Sequence, residues 1–180
     1  VGVSALLLIG WLGVALALGA SGVYRGTPDE IPTIQFGILA PILIGSILIT
    51  RSSTMARVIE TLPQQWLIGD QLYRARGIIF LILYGAGNMP GLFAWPAGIG
   101  DVLVGALAPV VAIAYARGPE KNGDLARGWN ILGLTDLGVA VATGMVTAPS
   151  PIQQFAFDLP NALVGTFPLI LTPIFLVPLS

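Results

Sequence analysis

The chain has 180 residues, 55% of them hydrophobic and 9% charged, with a mean hydropathy of +0.86, where an ordinary soluble domain carries about 25% charged residues. The formal net charge of −1 gives nucleic acid nothing to bind, and the absence of cysteine and histidine removes disulfides, thiolate metal sites, bis-histidine haem and the commonest general base. These facts predict an all-α, polytopic transmembrane helix bundle, a single transmembrane domain over residues 1–180, with no metal and no cofactor beyond bound lipid.

Six stretches approach the roughly 20 apolar residues that a bilayer core requires: about 1–23, 32–50, 65–88, 92–116, 128–148 and 160–179. The first has no basic region before its apolar run and reads as a mature span rather than a signal peptide. The breakers between the stretches are "RGTPDEIP", "RSSTMARVIETLPQQ", "NMPG", "RGPEKNGDLARG" and "TAPSPIQQFAFDLP". Within the second connection, Met55 to Leu62 reads either as a short interfacial helix ended by Pro63 or as a plain loop. Pro109 should kink the fourth stretch and free a carbonyl. Pro168, Pro173 and Pro178 should bend or break the sixth.

Basic residues set the orientation, because Lys and Arg hold short loops on the cytoplasmic side. Arg51 and Arg57 lie in the second connection and Arg117, Lys121 and Arg127 in the fourth, whereas the first has only Arg25 and the third and fifth have none. This alternation predicts both termini in the cytoplasm.

"WLIGDQLYRARGIIFLILYGAGN", Trp66 to Asn88, places Asp70, Arg74 and Arg76 inside the third stretch. Counting 1.5 Å per residue from Gln65 puts them at about 8, 14 and 17 Å depth, too deep for a loop. Asp70 and Arg74 are spaced i, i+4, which predicts an ion pair on one helical face. That face continues through Gly77, Leu81, Tyr84 and Asn88, while Arg76 points about 160° away. The fourth stretch carries Asp101 on a face with Gly98, Gly105, Ala108, Ala112 and Tyr115, and the fifth carries Asp136 with Gly133, Ala140, Thr143 and Thr147. Small-residue stripes let membrane helices approach closely. The strings "WLIGD", "WPAGIGD" and "WNILGLTD" share a Trp followed by Gly and Asp, which suggests an internal repeat or simply the abundance of glycine.

Charges at this depth cost from a few to ten or more kcal/mol unless paired, so they face the bundle interior or water. Arg74 is expected to reach Asp136 as well as Asp70. Three acids against two bases leave one carboxyl over, and depth makes Asp101 the candidate, with only Arg76 near its level. The predicted site for a bound solute, an ion or a proton relay is therefore Asp70, Arg74, Arg76, Asp101 and Asp136, with Tyr84 and Asn88 as hydrogen-bonding groups.

"GIGD", Gly98 to Asp101, resembles the G-x-G-D signature of intramembrane aspartyl proteases. That resemblance implies a catalytic role for Asp101 beside a second carboxylate, although no Tyr-Asp stands in an earlier span. The longer stretch "LYRARGIIFLILYGAGNMPGLFAWPAGIGDVLVGALAP" resembles an uncharacterised bacterial family of polytopic membrane proteins with an arginine-bearing span followed by a P-A-G-x-G-D span, a resemblance that implies a location in the bacterial inner membrane. A retinal protein needs a lysine in a span, and Lys121 is in a connection. The charges therefore predict a transporter, a channel-like protein or a solute-binding membrane protein, in its simplest form proton-coupled. The alternative is a non-catalytic accessory or structural subunit contacting lipid, quinone, pigment or other membrane subunits; because six short helices enclose little cavity, a transporter is expected to form a homo-oligomer.

Overall fold

A computed structural model describes residues 2–31 and 33–179. Every element among the described residues is helical: α1 (Gly2–Ser21), α2 (Ile34–Arg51), α3 (Ser53–Thr61), α4 (Gln64–Asp70), a 3-10 segment (Gln71–Gly77), α5 (Ile78–Gly85), α6 (Gly91–Arg117) and α7 (Pro119–Thr147). The chain after α7 is irregular, with short 3-10 turns at Leu163–Gly165 and Val177–Leu179 and a π turn at Thr172–Leu176. Three of these helices, α2, α6 and α7, are long and apolar enough to cross a membrane.

Two predicted stretches differ from a continuous span. The third is a composite of α4, the 3-10 segment and α5. The sixth, rich in proline as noted, forms no long helix, because each proline removes an N–H donor from the ladder. The α3 helix realises the helical alternative for the second connection. By contrast α6 runs unbroken through Pro96 and Pro109.

The chain divides into two compact units. The first comprises Val1–Thr61, Ala148–Gln153 and Ala162–Ser180. Its core joins Ala15, Tyr24, Ile170 and Ile174, flanked by Ile34, Leu171 and Phe175. The Trp11 indole donates to the Ile174 carbonyl at 3.2 Å, and the Thr33 hydroxyl donates to the Val23 carbonyl at 2.6 Å.

The second unit, Leu62–Thr147 with Gln154–Asn161, holds α4 to α7. Its centre is α6, which packs against α4, the 3-10 segment and α5 as well as against α7. Phe93, Ala97, Val104, Ala108 and Val111 are buried along it, spaced to share one side of a helix. Phe80 meets Phe93 edge to face at 5.2 Å between ring centres.

Local chemistry sets the turns of this unit. After α5, Gly87 adopts φ +71°, a left-handed conformation that glycine enters without a Cβ penalty. The Gly87 N–H donates to Tyr84 O and the Asn88 N–H to Leu83 O, both at 2.9 Å, the paired bonds of a Schellman cap. Between α6 and α7 only Gly118 is non-helical. Proline forces its predecessor out of the α region, so Gly118 is extended (φ −177°, ψ 86°). Pro119 itself suits the first position of α7, where no N–H partner is needed. The Asn122 side chain donates to Ala114 O at 2.8 Å, a carbonyl that the end of α6 leaves open, and to Gly118 O at 3.0 Å, which also accepts from the Lys121 and Asn122 N–H groups. The predicted fourth connection thus shrinks to one residue, and α6 and α7 form a helical hairpin.

Candidate functional site: one arginine between two aspartates

The hairpin brings Asp101 and Asp136 to one level. Asp101 lies ten residues inside the start of α6 and Asp136 eleven before the end of α7, about 15 and 17 Å from the same end of the hairpin. Arg74, from the 3-10 segment, reaches both. Its Nε donates to Asp101 Oδ1 at 2.9 Å and its Nη2 to Asp136 Oδ2 at 2.5 Å, while Nη1 lies 3.4 Å from the Gly133 carbonyl. The arginine and Asp136 side chains are 6% and 7% exposed and that of Asp101 is 19% exposed. All three guanidinium nitrogens thus have acceptors, which suits the fixed fork of donors that arginine presents.

Glycines shape the space around this triad. A methyl group at Gly77 would overlap the Asp101 side chain, and one at Gly100 would overlap the Asp136 carboxylate. At Gly105 it would meet the backbone of Ala75, and at Gly133 it would lie 3.1 Å from Arg74 Nη1. Nearby, the Trp129 indole donates to Val104 O at 3.1 Å, tying α7 to α6 on the Gly118 side of the triad.

The expected pair of Asp70 with Arg74 is not formed. Asp70 is exposed at the end of α4, and Arg74 turns to Asp101 and Asp136 instead. The cause is the winding between them: at three residues per turn, i and i+4 stand about 120° apart rather than about 40°. Asp101, expected to lack a cation, is paired because an arginine side chain spans the difference in depth that backbone counting assigned. Arg76 is exposed on another side of the 3-10 segment. Tyr84 stacks edge to face on Trp95, with centroids 5.6 Å apart, and Asn88 is exposed in the turn after α5. Of the seven predicted site residues, three come together. The Gly133 carbonyl and Gly100 were not anticipated as parts of the site. Gly133 carried a signal, since it shares a helical face with Asp136.

These features define a helical protein with three helices suited to crossing a membrane and a buried Arg–Asp–Asp triad where two of them meet. Residues 31–180 match the family described as Domain of unknown function (DUF8737), and the chain belongs to that family. No curated protein and no solved structure matches the chain.

Proposed function

We propose that the protein is an integral membrane transporter, channel-like or solute-binding protein of the bacterial inner membrane, with the Arg74–Asp101–Asp136 triad as its working site. The observation that carries this reading is the charge count at the triad: one guanidinium faces two carboxylates. In a membrane interior such an imbalance is expensive, and intramembrane ionisable groups mark ion and substrate pathways. Coupling to proton movement is its simplest use.

The topology we propose has α1, α2, the composite Gln64–Gly85, α6 and α7 as five passes, the broken stretch 160–179 as the sixth, and both termini in the cytoplasm. Arg117, Lys121 and Arg127 at the Gly118 end of the hairpin support that orientation. At 27 and 29 residues, α6 and α7 are about 40 Å long, enough to cross a hydrocarbon core of about 30 Å with turns to spare.

The G-x-G-D resemblance supports a protease less well. An aspartyl dyad activates a water held between its carboxyls, and here both carboxyls are engaged by the Arg74 guanidinium. The tight glycine packing favours a second reading, an accessory subunit in which the triad fastens three segments together. A solute flux measured in proteoliposomes, reduced by Asp136→Asn, supports the first reading. Purification with a stoichiometric membrane partner, and no flux, supports the second.

A further inference from the structure

We infer that the ligand of the triad is a single proton, held between Asp101 and Asp136 and exchanged through Asp101. The inference rests on reading the triad as an intramembrane site and adds what the site holds.

Three observations carry it. With both carboxyls ionised the triad has a net charge of −1, so neutrality requires one further cation. Asp101 Oδ1 and Asp136 Oδ2 accept from the neighbouring nitrogens Nε and Nη2 of the same guanidinium, which sets the two carboxyls side by side; ionised carboxylates only accept, so a bond between them needs a proton on one. Lastly, the carboxylates lie against Gly77 and Gly100, where even a methyl group would overlap them. Those two glycines close the side of the carboxylates that faces them, and a metal ion on the open side would stand beside a guanidinium of like charge.

Among the described residues, the ion pairs that reach the two carboxyls are those with Arg74. Asp70 on α4 and Arg76 on the 3-10 segment are exposed, and Tyr84 on α5 is engaged with Trp95. The ionisable groups nearest along α6 and α7, Tyr115 and Arg127, are 14 and nine residues away from Asp101 and Asp136. Asp101 is the point of exchange because its side chain is 19% exposed against 7% for Asp136. Uptake forms one carboxyl O–H bond and takes the triad from −1 to 0; release returns that proton to water.

The test is infrared spectroscopy of the purified full-length protein in lipid vesicles. At neutral pH the wild type should show a protonated-carboxyl band that shifts in D2O without unfolding. The band should vanish in Asp101→Asn and equally in Asp136→Asn, since either substitution leaves one carboxylate balanced by Arg74. Each amide mimics a protonated carboxyl, so if one variant fails to fold the other still decides. Asp124→Asn, on the exposed start of α7, should keep the band. A wild type with no such band between about pH 5 and 9, a band that persists in both triad variants, or a band inert to D2O overturns the inference. An intact band without solute flux leaves the proton site standing and counts against the transporter reading, whereas flux without the band does the reverse.

Discussion

Arg74→Gln is the substitution that most directly probes the triad. It removes two charge-assisted bonds and the contact with the Gly133 carbonyl, and it leaves two buried carboxyls without a cation. Bonds to charged groups contribute about 1.5–3 kcal/mol each, so the pair contributes about 3–6. Removing one partner of a buried ion pair typically costs about 3–5 kcal/mol. The two routes overlap at about 3–5 kcal/mol, and protonation of the stranded carboxyls limits the loss from above. For a chain of this size that corresponds to a fall in Tm of roughly 6–20 °C, measured by thermal unfolding in detergent at neutral pH. Adding Asp136→Asn to Arg74→Gln should recover part of the loss, because the two sites share one interaction. Arg76→Gln and Asp70→Asn, at exposed positions without an ion pair in the triad, serve as controls. If Arg74→Gln melts within about 2 °C of wild type, or if the controls fall as far, the assignment of the triad and of the 3-10 winding that aims it is wrong.

Gly100→Ala and Gly105→Ala should each destabilise by about 1–3 kcal/mol through overlap with Asp136 and with the Ala75 backbone. Gly123→Ala and Gly138→Ala, which meet open space, should be neutral or stabilising by up to about 1 kcal/mol; equal behaviour of the two sets in thermal melts would contradict the packing. Trp129→Phe should cost about 1 kcal/mol by losing the bond to Val104 O, and an unchanged unfolding midpoint would show that the indole contributes nothing there. Because the chain has no cysteine, single introduced cysteines can be labelled without background. Those at residues 118–126 should react only from the cytoplasmic side and those at 86–88 only from outside, and the reverse pattern would invert the proposed topology.

The class of fold was legible because apolar length is a one-dimensional property. Gly91–Arg117 and Ile34–Arg51 fall within two residues of their predicted ends. The level of Asp136 with Arg74 was also legible, since it depends on counting residues from the membrane boundary. The partner of Arg74 was not. It depends on rotation about the helix axis, and a change from 3.6 to three residues per turn over Gln71–Gly77 moves Asp70 off the face that Arg74 occupies. No composition signal marks that change. The start of α7 was hidden for a related reason: "PEKNGDLARG" is polar enough to read as a loop, yet Pro119 opens the helix and Asn122 closes the carbonyls before it. The broken character of 160–179 followed from proline spacing alone.

The order in which the triad is synthesised has a consequence for how the protein enters a bilayer. Arg74 precedes Asp101 by 27 residues and Asp136 by 62, so it emerges from the ribosome long before either partner. In the proposed topology the stretch Gln64–Gly85 would, until they arrive, carry Asp70, Arg74 and Arg76 into the membrane with no acceptor for the central guanidinium except water, and each such charge opposes insertion by a few kcal/mol. The α6–α7 hairpin carries its cations, Arg117, Lys121 and Arg127, toward its Gly118 end and needs only a one-residue turn to close. Stable burial of Arg74 therefore waits on the hairpin. If the proposed topology holds, a ribosome-arrested chain ending before Asp101 should keep its arginine-bearing stretch at the membrane surface, and a chain extended past Thr147 should draw it in.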